Sequence, residues 1–262
     1  MTPATPSLLE LYHWEPNGAS ARVLICLAEK ALEFVSRYVD VLAFEQHRAQ
    51  FLELNPTGEV PVLLHAGRVH TESSAICEYL EEVFPEQPLM PPDPRHRWEV
   101  RIWQKHVDDS IAASVSELAW HAYAPPLDGA QRARLTAEVA RAAVAPERRE
   151  AWQAALAGYG PEQLARARTR VLDAAQQAES ALTASVWLVG GGYCLADIAL
   201  FSYFRYLPAL LSEDINDAVT PHIMHWLRTL DARAAVQQAL AMGRCADPYR
   251  VAAPGPEQIR WG

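Results

Sequence analysis

The sequence predicts an α/β domain followed by an all-α domain. Strand-like and helix-like segments alternate over the first 85 residues, and a proline-rich stretch follows them. Beyond that stretch, apolar residues recur only at helical spacing, which favours a bundle of helices. The chain has 262 residues, of which 50% are hydrophobic and 21% charged, so it can build a sizeable core in each domain.

The first half of the α/β domain has the pattern of a βαβ unit. A short apolar run over 8–12 is typical of a buried strand, and the Pro-Asn-Gly sequence at 16–18 predicts a turn. Apolar residues at helical spacing predict a helix over 20–30. The alternating segment over 34–41 then predicts a second strand, parallel to the first.

The second half of this domain adds a helix, two strands and another helix. A short helix is expected over 44–52, a strand over 60–64 and a further short strand over 68–71. A helix then begins at 72–74, because apolar residues follow at i, i+3, i+4 and i+7. The predicted order of the domain is therefore βαβαββα.

Five prolines between residues 85 and 94 indicate the domain boundary. We expect a first domain over 1–86, a linker over 87–95, a helical domain over 96–246 and an irregular Pro/Gly-rich tail over 247–262. The predicted helices of the second domain span residues 95–120, 130–155, 161–182, 195–207 and 221–241.

Charge and cysteine usage exclude several function classes. The net charge of −9 and the lack of a basic block argue against a nucleic-acid partner; the densest cluster, Arg148-Arg149, is broken by Glu147 and Glu150. Four scattered cysteines without a CxxC pair predict reduced thiols of a cytoplasmic protein, with no disulfides and no metal site. We expect no secretory signal, because the N-terminus has neither a positive charge nor an apolar segment. We expect no membrane partner, because no apolar run approaches about 18 residues.

Two short segments of the first domain predict a peptide-binding site. Val60 and Pro61 enter a strand, and a cis bond between them would leave the Val60 backbone free to pair with an extended peptide. Ser73 opens a helix whose free N–H groups suit a carboxylate. Glu72 could pair with the ammonium group of the same ligand. The α-amino acid end of a peptide carries both a carboxylate and an ammonium group, so Ser73 and Glu72 together suit such a ligand.

These segments resemble the cytosolic glutathione transferase superfamily. The matching text is NPTGEVPVL over 55–63 and TESSAI over 71–76. The resemblance implies a thioredoxin-like N-terminal domain and an all-α C-terminal bundle. It also implies that Val60 and Pro61 hold the cysteinyl part of glutathione and that Glu72 and Ser73 hold its γ-glutamyl end. His47 or Gln46 could reach the glycine carboxylate.

The group that activates the glutathione thiol should lie at the start of the first helix. The positive end of the helix dipole stabilises a thiolate there, and a nearby donor adds a hydrogen bond. Asn17 and Ser20 are the candidates, with Tyr12 on the first strand as an alternative. Ser20 could also be only the cap of the helix.

Longer stretches resemble the bacterial β-etherases of lignin-dimer breakdown. This resemblance implies that glutathione thiolate attacks the carbon bearing an aryl ether, next to a ketone, and releases a phenol. These enzymes have Asn-Ser at the helix start, where this chain has Ala19-Ser20. The matching segments are YVD at 38–40, FEQH at 44–47, ES at 72–73, ICEYLEEVFPE at 76–86, VDD at 107–109, residues 146–152, GYG at 158–160 and EQL at 162–164.

Aromatic and polar residues could form the pocket for a small aromatic electrophile. His13 and Trp14 follow the first strand, and Trp103, His106 and Ser110 share one face of the predicted long helix. Most of the tryptophans could equally be core residues. A conjugating, dehalogenating or isomerising transferase, or a glutathione-binding subunit without activity, is the alternative function.

Two further features concern assembly and packing. The resemblance implies a dimer between the first domain of one subunit and the helical domain of the other; we expect a homodimer, and a heterodimer stays open. The segment YCLADI at 193–198 resembles the buried N-capping box of the superfamily, with Cys194 in place of Ser or Thr. Asp197 is therefore expected to accept backbone N–H bonds and to hold the preceding loop.

Overall fold

The computed structural model describes residues 8–123, 129–141 and 146–245. Its first part is a four-stranded sheet with strand order β2-β1-β3-β4, in which β1 is parallel to β2 and antiparallel to β3. The predicted order βαβαββα is confirmed. The elements are β1 (Leu9–His13), α1 (Gly18–Glu29), β2 (Phe34–Tyr38), α2 (Ala49–Leu54), β3 (Val62–His65), β4 (Arg68–His70) and α3 (Ser73–Val83).

The predicted helix over 44–52 is replaced by two 3₁₀ turns and the short helix α2. Phe44 has a φ of +56°, in the left-handed region, which interrupts a right-handed helix between the turns Val41–Ala43 and Glu45–His47. The strand predicted from residue 60 begins only at Val62, because Pro61 has no N–H to give to the sheet.

The second part contains helices only among its described residues. The predicted long helix over 95–120 is in fact α4 and α5, separated by a π-helical turn at Val107–Ile111. The predicted helix over 221–241 ends at Asp231 and a second one begins at Ala234. The helices are α4 (Pro94–His106), α5 (Ala112–Tyr123), α6 (Gly129–Arg141), α7 (Pro146–Ala157), α8 (Pro161–Ala184), α9 (Leu195–Phe204), α10 (Leu207–Leu210), α11 (Pro221–Asp231) and α12 (Ala234–Leu240).

Helix α9 lies at the centre of the molecule. All ten of its residues are buried, as expected for a helix that is apolar on every side. It packs against α1 of the first part and against α4, so one continuous core joins the two parts. The irregular residues 84–93 connect them along the chain, and Asp93 caps α4 by accepting the N–H groups of Arg95 and His96.

The capping box of α9 is present, as the sequence predicted. Asp197 is fully buried, and its carboxylate accepts the N–H groups of Leu188 and Cys194 at 3.0 Å and the indole N–H of Trp226 at 2.9 Å. Burial raises the pKa of Asp197, and these N–H donors oppose that effect. The carboxylate thus fixes the loop before α9 and ties it to α11.

Residues 8–123, 129–141 and 146–245 contain neither a membrane-spanning helix nor a metal-binding cluster. None of the helices there has the length and apolar character that crossing a bilayer requires. Nor do three or more His, Cys, Asp or Glu side chains come together there as a metal site would require. The Pro/Gly-rich tail predicted over 247–262 lies outside the described residues.

Candidate active site

Asn17 lies at the start of α1, as its N-cap residue. Its backbone is extended, with φ −131°, and its side chain makes no capping bond. Only 4% of Asn17 is exposed, and its Nδ2 group has no hydrogen-bond partner among the described residues. A buried amide donor without a partner is costly, and it lies at the positive end of the helix dipole. The arrangement suits a ligand atom that carries negative charge.

Ser20 lies in the first turn of α1, so the interpretation of Ser20 as the helix cap is wrong. Its hydroxyl oxygen accepts the backbone N–H of Trp14 at 3.2 Å, and the side chain is buried. The serine therefore holds the loop between β1 and α1. Its hydroxyl hydrogen stays available for a second hydrogen bond.

Tyr12 lies on the opposite face of the sheet from α1. Successive side chains of a strand point to opposite faces of the sheet. Leu11 belongs to the core cluster that contains the buried residues of α1 and α3, whereas Tyr12 packs edge-on against Phe51 of α2 on the other face. Tyr12 also lines a groove of about 690 Å³ beside α2. This position separates it from the start of α1, and it does not support the tyrosine alternative.

We call the surface between the segment Val60–Pro61 and the start of α3 the cleft. Arg148 of α7 is linked to both sides of it, because it pairs with Glu59 and its charge lowers the pKa of Glu72. The Val60–Pro61 bond is cis, as the sequence predicted, and Val60 precedes the first sheet residue of β3. Glu72 has a φ of +65°, a backbone conformation that non-glycine residues adopt at a cost. No side chain caps α3, so the first N–H groups from Ser73 onward remain available to a ligand.

Glu72 lies among charged groups from three other elements. Its side chain reaches solvent, but partial burial raises the pKa of its carboxyl. The charge of Asp108 raises that pKa further, whereas Arg148 and Arg22 lower it. Glu72 therefore has one acidic and two basic side chains in its surroundings.

An ion pair with a buried guanidinium joins α1 to the π-helical turn. The Arg22 guanidinium is 1% exposed and donates from Nη1 to Asp108 at 2.7 Å. Although burial opposes it, Asp108 raises the pKa of Arg22. The wider π turn lets Asp108 reach across the boundary between the two parts.

The loop before α2 places His47 beside the turn that precedes Val60. Gly58 has a φ of +69°, and a Cβ atom there would lie 2.7 Å from His47 Nδ1, so only glycine fits. Gln46 is buried and donates to the carbonyl of Val41 at 3.3 Å. The side-chain amide of Gln46 therefore stabilises the loop before α2 from its buried side.

Helix α7 packs on this loop. The rings of Phe44 and Trp152 lie 4.9 Å apart, and Trp152 is fully buried. Trp152 in turn contacts Trp120 edge-on, at 5.7 Å. Four residues before Trp152, Arg148 forms an ion pair with Glu59 and is 6% exposed. The α7 helix therefore reaches the cleft.

The end of the described chain also packs on the loop between β1 and α1. The buried carboxylate of Glu15 accepts the N–H groups of Arg244 and Cys245, both at about 3.0 Å, and the hydroxyl of Tyr38. The Arg244 guanidinium stacks on the Tyr38 ring at 4.3 Å. These contacts fix the residues that lead into Asn17.

His13 and Trp14 do not line an open pocket, contrary to prediction. His13 is fully buried, with one ring nitrogen bonded to Ser36 Oγ at 2.7 Å and the other to the carbonyl of Trp14. Burial lowers the pKa of His13. Trp14 is 6% exposed. The ring nitrogens of His13 are both occupied by protein partners, and the backbone N–H of Trp14 is bound by Ser20, so both residues support the loop between β1 and α1.

Trp103, His106 and Ser110 are half-buried. Trp103 and His106 form an edge-on pair at 6.4 Å, and His106 Nε2 is buried without a partner in the described chain. Burial lowers the pKa of His106. The π turn begins directly after His106 and contains Ser110, so the single continuous helix predicted for the three is interrupted. A pocket built from them stays a prediction.

Comparison with known proteins decides the family. Models of the N-terminal and C-terminal domains of glutathione S-transferase match residues 19–83 and 113–234. The chain belongs to the glutathione S-transferase family. The transferase is 35% identical to protein LigF of Sphingobium sp. over 91% of this chain and 95% of that protein. It is 29% identical to glutathione S-transferase F13 of Arabidopsis thaliana over 87% of this chain and 92% of that protein.

Two solved structures are also similar to this chain over most of its length. The transferase superposes on the β-etherase LigF of Sphingobium sp. strain SYK-6 with a TM-score of 0.83 and 34% identity, covering 89% of this chain and 98% of the other. Glutathione transferase F7 of Populus trichocarpa gives a TM-score of 0.69 at 22% identity, over 89% and 98% of the two chains, which shows the shared fold.

The sequence analysis gave no role to four residues near the candidate site. Glu15, Arg22, Glu59 and Arg148 contact the cleft or its loops through residues distant in the chain. Two of them carry a detectable signal, because Glu59 lies inside the NPTGEVPVL motif and Arg148 lies in a segment that resembles the β-etherases. Glu15 and Arg22 have only their neighbourhood to Asn17 and Ser20 as a signal.

Proposed function

We propose that this transferase is a glutathione-dependent β-etherase that cleaves α-keto β-aryl ethers of the lignin-dimer type. The unpaired, buried Asn17 amide at the start of α1 is the observation that carries the chemistry. Similarity to LigF over nearly the whole chain supports the substrate class.

Glutathione fits the cleft as an extended peptide. Its γ-glutamyl carboxylate binds the free N–H groups at Ser73, and its α-ammonium pairs with Glu72. The cysteinyl backbone pairs with Val60 beside Pro61. His47 and Gln46 lie towards the glycine end. This placement brings the thiol to the start of α1.

Asn17 then donates a hydrogen bond to the sulfur and stabilises the thiolate, together with the α1 dipole. The β-etherase-type sequence carries its asparagine next to the serine. In this transferase Asn17 supplies the amide from three residues before Ser20. Ser20 holds the loop through Trp14 and contributes its hydroxyl hydrogen as a weaker second donor.

The thiolate displaces the aryl ether. A carbon–sulfur bond forms at the carbon next to the ketone, the carbon–oxygen bond breaks, and the phenolate takes a proton to leave as a phenol. We place the aromatic rings near Trp103, His106 and Ser110, where half-buried aromatic surface and an unpaired His106 nitrogen are present.

Incubation with glutathione and both enantiomers of a β-aryl ether ketone tests the proposal. We expect release of the phenol and formation of the glutathione thioether in equal amounts, measured by chromatography. Conjugation of chlorodinitrobenzene without phenol release from either enantiomer would favour a general transferase. Retention on glutathione resin with no turnover of either electrophile would favour a binding subunit.

We expect Glu72→Gln to weaken glutathione binding about 10–100-fold, because a charge-assisted bond to the α-ammonium is lost. The wild-type affinity should fall as the pH is lowered through the raised pKa of Glu72, since only the ionised carboxylate attracts the ammonium. Calorimetric titrations across pH measure both effects.

The matched ligand is glutathione without its α-amino group. Its affinity should be nearly independent of the Glu72→Gln substitution, and the pH dependence of glutathione binding should flatten in the variant. Equal weakening for both ligands would remove Glu72 from the ammonium contact.

We also propose that the transferase forms a homodimer through α4 and β4. Trp98 and Ile102 lie one turn apart on α4, with 61% and 47% of their surfaces exposed, and Val69 of β4 is 41% exposed. Contiguous exposed apolar residues mark association surfaces, and Trp98 and Ile102 are neighbours on one face of α4. Sedimentation velocity should give twice the mass of the chain, and a single-chain mass at micromolar concentration would contradict the proposal.

A further inference from the structure

We infer that Arg148 of α7 is a glutathione-binding residue that recognises the glycine carboxylate. This inference rests on the proposed glutathione site and adds to it a cation from the helical part of the chain.

Arg148 is a buried cation with unused donor capacity. Its side chain is 8% exposed, and one guanidinium nitrogen, Nη2, pairs with Glu59. The other terminal nitrogen, Nη1, is buried and has no hydrogen-bond partner among the described residues. A guanidinium offers a planar fork that matches a carboxylate, and a buried unpaired N–H is costly unless something binds it.

The neighbours of Arg148 identify which carboxylate it meets. Glu59 directly precedes Val60, and the His47 ring lies against Gly58 on the same turn. If the γ-glutamyl end lies at Ser73 and the cysteinyl group at Val60, the glycine end lies on this side of the peptide. Arg148 is also close enough to Glu72 to lower its pKa, so the guanidinium borders the cleft.

Helix α7 is held firmly enough to present this cation. Trp152, one turn after Arg148, is fully buried between Phe44 and Trp120. The Phe44 contact also fixes the loop that carries His47. Without ligand, Glu59 neutralises the guanidinium; with glutathione bound, the ligand carboxylate shares it.

Two substitutions separate ligand binding from a purely structural tie. Arg148→Gln removes the cation, and we expect it to weaken glutathione about 10–100-fold. Glu59→Gln removes the competing carboxylate but keeps the cation, so the affinity should stay equal or become tighter. If the Arg148–Glu59 ion pair only stabilises the fold, both variants should lose affinity to the same degree, because each breaks that ion pair.

Calorimetry with glutathione and with its glycine monoethyl ester is the measurement. The ester lacks the negative charge, so Arg148→Gln should change its affinity less than about threefold. Equal losses for both ligands, or parallel losses in the two variants, would overturn the inference. Arg148→Lys keeps the charge without the planar fork of the guanidinium, so its affinity for glutathione should lie between those of wild type and Arg148→Gln. This variant replaces Arg148→Gln in the test if Arg148→Gln is unstable.

The outcomes also separate this inference from the proposed function. If wild type fails to bind glutathione, the proposed function fails and this inference falls with it. If wild type binds, Glu72→Gln weakens binding and Arg148→Gln matches wild type, only the role of Arg148 is overturned.

Discussion

Asp197→Ala is expected to lower the free energy of unfolding by about 3 kcal/mol or more, because three buried donors lose their acceptor and each loss costs about 1–3 kcal/mol. The substitution would leave the N–H groups of Leu188 and Cys194 and the indole N–H of Trp226 unpaired in the core. Domains of ordinary size are stable by about 5–15 kcal/mol, so the loss would leave the protein marginal. Urea unfolding followed by circular dichroism measures it.

Two neighbouring substitutions serve as controls. Asp197→Asn keeps an acceptor for Leu188 and Trp226 and should cost about half as much. Cys194→Ser places a better capping group at the start of α9 and should change stability by less than about 1 kcal/mol, in the favourable direction. If Asp197→Ala unfolds at the same urea concentration as wild type, the carboxylate is not what holds this loop.

The local pattern of the sequence predicted most of the first part of the fold. Period-2 alternation and helical spacing gave the strands and helices to within a few residues. The same alternation explains why the prediction for His13 was wrong: Leu9, Leu11 and His13 fall on one face of β1, and all three are buried. His13 is therefore a core residue with satisfied nitrogens, whereas its chain position next to Trp14 suggested a pocket.

The long helix shows what local pattern leaves open. Residues 107–111 contain neither Gly nor Pro, so nothing in the segment itself marks a π turn. The wider turn is explained by a distant residue, since it allows Asp108 to pair with the buried Arg22 of α1. Ion pairs between distant segments, such as Arg148 with Glu59, are invisible to periodicity for the same reason.

The candidate site is consequently a product of both parts of the chain. Motif spacing predicts a role for Val60, Pro61, Glu72 and Ser73, which lie on short segments of the first part. The helical part adds contacts that only the assembled fold brings together: Trp152 on Phe44, Arg148 on Glu59, and the backbone of Arg244 on Glu15. Variation in α7 could therefore change glutathione affinity without touching the motifs.

Asn17→Ala is expected to lower kcat/KM about 10–100-fold at neutral pH, because a hydrogen bond to a charged group contributes about 1.5–3 kcal/mol. Loss of a donor to the thiolate raises the pKa of the bound glutathione thiol by about 1–2 units. Ser20→Ala should cost less than about tenfold, because the Ser20 oxygen already accepts the Trp14 N–H and chiefly holds the loop.

The pH dependence distinguishes these roles. In Asn17→Ala, kcat/KM should recover towards the wild-type value at high pH, where the thiol ionises without help, and ultraviolet difference spectra of bound glutathione should show the same shift in thiol pKa. Asn17→Asp should shift the pKa further, since a carboxylate repels the thiolate. A shift in Ser20→Ala but not in Asn17→Ala would transfer the role to Ser20. The comparison is informative because both residues are buried at the same helix start, and only the Asn17 amide lacks a partner.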